Sequence, residues 1–368
     1  MKFIIIFILG TCATFLFGSE SARVESGAKS KKGEIKIPSI TLPISTYLSE
    51  ETKQLLPSIE QHFEELGNIT KDCSSPIGAD IKKANTEQLS TVRNCIAEHM
   101  YTTSWYAEFS NFDVNIKPKK IAGIYTEVFT PENGVPEENK NRVLINVHGG
   151  AFTMGSRWAS HIESIPIASV GKIKVISVDY RMSPKYKFPA GSEDVSAVYK
   201  MLLKDYSPKN IGIYGCSAGA RITGQAVASF IKQGLPLPGA IGMHCSAPTG
   251  LGGDSNHIVW AMNGKKEPLL ISDVAYFDGV EDNDPLAFPG ESSEMLSQFP
   301  PSLLITSTRD YSLSPMVYVH SQLTELGVEA NLHIWEGLPH GFFYHPELPE
   351  SRQTYDVIVN FFSKHLGK

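Results

Sequence analysis

The sequence predicts an α/β fold: a mostly parallel central sheet flanked by helices. Three observations predict it. From Ile121 to the C-terminus, short β-prone apolar runs alternate with helical runs. The run Ile211–Tyr214 leads through Gly215-Cys216-Ser217-Ala218-Gly219 into a helical pattern that starts at Ala218. Residues suited to chemistry fall just after strand-like runs, and sheets of this kind carry their sites at the carboxyl ends of the strands.

The 368 residues suit one large domain with an attachment, or two domains, and 42% hydrophobic residues are ample for a large core. A formal net charge of −6 argues against a nucleic-acid partner. Lys2, the apolar run Phe3–Phe17 and Gly18-Ser19-Glu20 have the charged start, apolar middle and small-residue exit of a secretory leader. Residues 1–18 are therefore expected to be removed from a secreted or periplasmic protein. The run is short of the roughly 20 apolar residues a membrane span needs, so no stable span is expected after cleavage. An uncleaved leader serving as a membrane anchor is the alternative. Residues 19–40, rich in Ser, Lys and Gly, read as a linker.

Residues 41–119 read as helical. Ser49-Glu50-Glu51 has the form of a helix start, Leu55–Leu66 carries a helical pattern interrupted at Pro57, and Thr86–Tyr106 is a second stretch. Pieces this small do not make a domain alone. They are expected to form a cap over a larger body, residues 120–368. Cys73 and Cys95 are close in sequence and outside that body, and are expected to pair in an exported chain. Cys216 and Cys245 are expected as buried free thiols at neighbouring strand ends. Asn68-Ile69-Thr70 is an N-glycosylation sequon.

Strands are predicted at Ile121–Thr130, Arg142–His148, Ile173–Asp179, Asn210–Cys216, Ala240–Cys245, Ser302–Ser307 and Ala330–Trp335. Helices are predicted at Glu193–Asp205, Ala218–Gln233, Ser314–Leu326 and Arg352–Leu366.

The G-x-S-x-G stretch between a strand and a helix has the form of a nucleophile elbow. The positions two before and two after Ser217 lack bulk because strand and helix must cross closely there. After the strand at Arg142–His148, the Gly149-Gly150 pair lets backbone N–H groups point at a ligand. Gly149, Gly150 and Ala151 are candidate donors to a developing oxyanion, joined by the N–H of Ala218. Asp310 follows the strand at Ser302–Ser307, and His340 follows the last strand. In that order Ser217 would attack, His340 would take and return the proton, and Asp310 would orient the imidazole.

These motifs resemble those of the hormone-sensitive-lipase-like esterases, of the α/β-hydrolase fold. His148–Phe152 resembles H-G-G-G-F. Asp179–Pro184 with Phe188-Pro189-Ala190 and Glu193-Asp194 resembles D-Y-R-L-A-P…F-P-A…D. Gly215–Gly219 resembles G-D-S-A-G, and Pro339–Phe342 resembles the histidine segment. Asp284-Pro285-Leu286 is a softer match. The likeness runs from about Leu48 to the C-terminus. It implies that residues before about 120 form a cap, completed by an insertion at 249–299. Three positions depart from the pattern: Ala151 stands for the third glycine, Cys216 for the acidic residue before the nucleophile, and Ala220 for a glycine after it.

The resemblance implies a serine carboxylesterase acting on short- to medium-chain acyl esters, a small-molecule substrate, through an acyl-enzyme. Phe152, Trp158 and Phe342 are candidates for an apolar pocket. No cofactor is expected: the 11 His residues are scattered, and no glycine-rich phosphate loop is present. An arylacetamide-type deacetylase or lactonase on the same fold is the rival reading, because substrate choice lives in pocket shape. A non-catalytic small-ligand receptor is another, and His340 argues against it.

Overall fold

A computed structural model describes residues 41–75 and 84–367. The expected leader at 1–18 and linker at 19–40 lie outside the described residues. The chain divides into Met1–Pro43 and Ile44–Lys368, and every element named below belongs to the second unit.

Eight strands form one sheet in the order β1-β2-β4-β3-β5-β6-β7-β8. They are β1 Val114–Ile121, β2 Ile124–Pro131, β3 Val143–Val147, β4 Lys174–Val178, β5 Ile211–Cys216, β6 Ala240–His244, β7 Ser302–Arg309 and β8 Ala330–Pro339. From β4 through β8 all pairings are parallel; β1 with β2 and β2 with β4 are antiparallel. β3, β5 and β6 are buried at every position, as strands covered on both faces must be, and so they read as continuous apolar runs. The edge strand β1 carries Pro118 and three lysines, which discourage pairing with another chain.

The sheet is the expected one, with a correction at its edge. The predicted strand Ile121–Thr130 is the second half of a hairpin: Ala122-Gly123, both at positive φ, turn the chain between β1 and β2. β1 escaped prediction because its lysine-rich sequence lacks apolar alternation.

The helices are α1 Glu50–Ser74, α2 Thr86–Met100, α3 Ser104–Ala107, α4 Trp158–Gly171, α5 Ala190–Leu202, α6 Ala218–Gln233, α7 Asp254–Met262, α8 Ser293–Leu296, α9 Leu313–Glu325 and α10 Pro349–His365. α6 has the predicted bounds. α1 runs unbroken through Pro57, where an interruption was expected. α2 ends at Met100, and Thr103 caps a separate short α3. α4 was not predicted at all: polar residues such as Ser160, Glu163 and Ser164 are buried among its apolar ones and it contains Pro166, so it shows no clear period to read.

Side chains alternate along the strands and so feed two cores. Ile145, Val147 and Ile213 join one with Ile222 and Phe230 of α6. Leu144 and Tyr214 join the other, with α4, α10 and residues of α2 including Val92, Ile96 and Met100. The N-terminal helices thus share a core with the sheet. Cys73 and Cys95 form a disulfide between the end of α1 and α2, while Cys216 and Cys245 are buried free thiols.

Candidate active site

β5 delivers Ser217 and α6 leads away from it. Ser217 sits at φ 56° and ψ −116°, a conformation an L-residue holds only under constraint. Its N–H is fixed to the His244 carbonyl oxygen at 2.8 Å. The crossing of elbow and β3 explains the flanking glycines: a Cβ on Gly219 would stand 1.7 Å from the Val147 oxygen, and one on Gly215 2.1 Å from it.

Asp310 follows β7 and is fully buried. Its Oδ1 accepts from His340 Nδ1 at 2.8 Å and from Ser312 N–H at 2.9 Å; its Oδ2 accepts from Thr306 Oγ1 at 3.0 Å. Both oxygens are thus oriented toward fixed partners. His340, 26% exposed, follows β8, whose pairing with β7 shifts register between Ser307 and Arg309. Gly341 N–H reaches Cys245 Sγ at 3.3 Å.

Sequence reasoning missed Tyr311. Its ring stacks on His340, 4.6 Å between centroids, and its hydroxyl faces Ser217. Burial pushes this phenol well above its ordinary range, so it stays neutral. Its position next to Asp310 was the only signal. Among the described residues Ser217 and His340 share no hydrogen bond; such contacts often tighten only around a substrate.

The loop after β3 turns through three successive positive-φ residues, Gly150 at 116°, Ala151 at 52° and Phe152 at 62°. A Cβ on Gly150 would collide with the Met154 oxygen at 2.1 Å. The N–H groups of Gly150, Ala151 and Ala218 have no partner among the described residues. Gly149 departs from expectation: its N–H is held by Glu163 Oε1 at 2.8 Å and cannot serve an oxyanion.

The Asp179–Pro184 segment braces this loop. Tyr180 stacks on His148 at 4.4 Å and donates its hydroxyl to the His148 oxygen at 3.0 Å. Ser183 N–H bonds the Phe152 oxygen at 2.9 Å, and Asp179 accepts from Ser156 Oγ at 2.7 Å. From α2, Arg93 donates to the carbonyls of Thr153 at 2.7 Å and Ser183 at 2.8 Å. Burial of His148 lowers its basicity, so the ring beneath the loop is neutral.

The three aromatics expected in a pocket are core residues instead. Phe152 stacks on Tyr276 at 4.5 Å, Trp158 packs edge-on against Trp105, and Phe342 is fully buried beside Trp335. Large aromatics next to a motif fill the space that supports it. A cleft of about 710 Å³ lies between Thr249–Gly253, Glu291 and the start of α9 at Ser314, Pro315 and Tyr318.

Potential metal ligands gather in three places among the described residues. Cys73 and Cys95, near His99, are consumed by their disulfide. Cys245, Asp310 and His340 belong to the site itself. His62, His345 and Glu347 form the third group, in which His345 pairs with Glu347 at 3.4 Å.

Known proteins with this architecture are numerous. A sequence profile of the alpha/beta hydrolase fold matches residues 144–344. An acetyl-hydrolase of Streptomyces hygroscopicus is 26% identical over 251 residues, 63% of this chain and 79% of the relative. An esterase of Acinetobacter venetianus is 25% identical over 262 residues, 68% of this chain and 82% of its own. The crystal structure of esterase E25 covers 91% of this chain and 100% of its own, with a TM-score of 0.73 and 28% identity. An esterase of the bacterial hormone-sensitive lipase family superposes with a TM-score of 0.66 over 83% of this chain and 99% of its own; at 24% identity that likeness speaks for the fold alone.

Proposed function

Because the chain belongs to the alpha/beta hydrolase fold family, we propose that it is a carboxylesterase whose nucleophile is Ser217. Hydrolysis of carboxylic esters is supported by its likeness to an acetyl-hydrolase and to esterases. The observation that carries the assignment of roles is the 2.8 Å bond from His340 Nδ1 to buried Asp310, beside a strained Ser217.

In this reading Ser217 Oγ attacks the ester carbonyl and its proton passes to His340 Nε2. Asp310 holds the opposite ring nitrogen and stabilises the imidazolium. The N–H groups of Gly150, Ala151 and Ala218 receive the oxyanion. Donors of this kind are worth roughly 10²- to 10³-fold each in kcat. His340 returns the proton to the leaving alcohol, and water then clears the acyl group from Ser217 by the same route in reverse.

The acyl range proposed is short to medium, supported by the acetyl-hydrolase relative and by the Ala151 methyl at the oxyanion loop. The cap is proposed to consist of α1–α3 with the 249–299 segment; the Arg93 bonds and the cleft at Thr249–Gly253 support it. Export is proposed as well, and the Cys73–Cys95 disulfide suits an oxidising compartment. The test of the reading is hydrolysis of p-nitrophenyl esters from acetate to laurate. Turnover greatest on the shorter chains is expected. A folded protein that turns over none of them would sink the reading.

A further inference from the structure

The carboxyl of Glu163 lies beneath three loops at once. It comes from the middle of α4, and it is 5% exposed. Its Oε1 accepts from Gly149 N–H at 2.8 Å and from the Tyr344 hydroxyl at 2.7 Å. Its Oε2 accepts from Asn146 Nδ2 at 2.9 Å, and the Asn146 amide is itself oriented by Ser177 Oγ at 2.7 Å. The backbone N–H of Cys216 also faces the carboxyl and favours its charged form.

Gly149, Cys216 and Tyr344 belong to three different parts of the site. Gly149 adjoins the free N–H groups of Gly150 and Ala151. Cys216 adjoins Ser217 and the N–H of Ala218. Tyr344 ends the turn that follows His340. The Tyr344 hydroxyl also reaches the Cys216 thiol, and its carbonyl takes Trp105 Nε1 at 2.7 Å. The close fit accounts for the glycine at 149: a Cβ there would stand 2.9 Å from the Tyr344 hydroxyl and 3.3 Å from Glu163 Oε1. Position 216, acidic in the resembling esterases, is a cysteine here, yet the elbow does not lack a carboxyl, because α4 supplies one from below.

We propose that Glu163 is a positioning residue of the active site, setting the separation between the oxyanion donors Gly150 and Ala151 on one side and Ala218 on the other. The inference rests on the esterase reading and deepens it. Glu163 touches no substrate; it acts through the two backbone segments it holds. Three hydrogen bonds converge on it with the Cys216 N–H beside them, and a carboxylate can accept from all of these groups. An amide cannot: its NH₂ would face at least one N–H or O–H, which would then turn away. The segment carrying that donor would move, and oxyanion donors lose their value over displacements of well under 1 Å.

The experiment compares wild type, Glu163→Gln, Glu163→Asp and Tyr344→Phe on p-nitrophenyl butyrate, with folding followed by circular dichroism and thermal melting. Glu163→Gln is expected to lower kcat by about 10- to 100-fold while KM stays within about twofold, since the donors act on the transition state rather than the bound ester. Glu163→Asp keeps the acceptor and is expected to recover part of that loss. Tyr344→Phe removes one donor and is expected to lower kcat by a few-fold. A folded Glu163→Gln protein with wild-type kcat would overturn the inference and leave the esterase reading standing. If Glu163→Gln does not fold, unchanged kcat in folded Tyr344→Phe overturns it equally. A wild type inactive on the ester overturns the esterase reading, and the inference with it.

Discussion

Two buried carboxyls, Asp310 and Glu163, serve the same end of the sheet in different company. Asp310 is fully buried and faces a histidine, with Ser312 and Thr306 holding it in place. Glu163 is nearly as buried but faces only neutral donors: two backbone N–H groups, an amide and a phenol. A carboxylate opposite an imidazole can stabilise the charge that appears there during proton transfer. One surrounded by neutral donors has no charge to balance and can only fix where those donors lie. Burial without a cation also pushes the Glu163 carboxyl up to about 7, against hydrogen bonds from Tyr344, Gly149, Asn146 and Cys216 that pull it down.

The comparison can be broken most sharply at Asp310. Asp310→Asn preserves shape but removes the charge opposite His340 and permits the wrong ring tautomer. A loss of about 10⁴-fold in kcat is expected, measured on p-nitrophenyl butyrate. If Asp310→Asn lost no more than Glu163→Gln, the two carboxyls would not differ in kind.

The second contrast lies in stability against pH. The folded-state pKa of Glu163, about 7, is above its ordinary value of 4.5, so folding favours the protonated form. That contribution is fully present below pH 4.5 and is lost as pH rises through 7. The loss is on the order of 3 kcal/mol. Tyr344, Tyr214, Tyr180 and Cys216 border the carboxyl, and burial raises all four, so they stay neutral across this window. Urea unfolding at pH 5 and pH 8 should show a smaller drop for Glu163→Gln than for wild type. Parallel drops would place the pH dependence elsewhere. The anionic form satisfies the donors around it yet weakens the fold, so the site is organised at some expense in stability.

The third and smallest effect on catalysis separates helices α1 and α2 from both carboxyls. Cys95→Ser opens the α1–α2 disulfide, whose partners are 22 residues apart, and should lower stability by about 3 kcal/mol. Neither carboxyl is touched, so kcat below the melting transition should change less than threefold. A larger fall would tie α2, through Arg93 and its bonds to Thr153 and Ser183, to the loop after β3.

The parts that were legible in the sequence are those written locally. The elbow shows as glycines flanking Ser217, α6 as a run with clear helical period, and Asp310 and His340 as chemistry at the ends of apolar runs. What was illegible depends on contacts between distant segments. Glu163 is 14 residues from Gly149 and 181 from Tyr344, and the helix that carries it has no amphipathic period. Its standing as the one carboxylate between Trp158 and Gly171 was its only trace. Gly149 was misjudged for the same reason: a glycine pair suggests free N–H groups, but which of them are free depends on Glu163. Phe152, Trp158 and Phe342 were misplaced because a sequence does not say whether an aromatic beside a motif faces the substrate or the core.

The central claim, that Ser217 is the nucleophile of an ester hydrolase, is tested most directly by trapping the acyl-enzyme. Wild type and Ser217→Ala would be mixed with p-nitrophenyl acetate, quenched in acid within the first turnover, digested and analysed by mass spectrometry. An acetyl group on the peptide containing Ser217 in wild type, and none in Ser217→Ala, is expected. Turnover in wild type with no acetylated peptide, or full turnover in Ser217→Ala, would contradict the account.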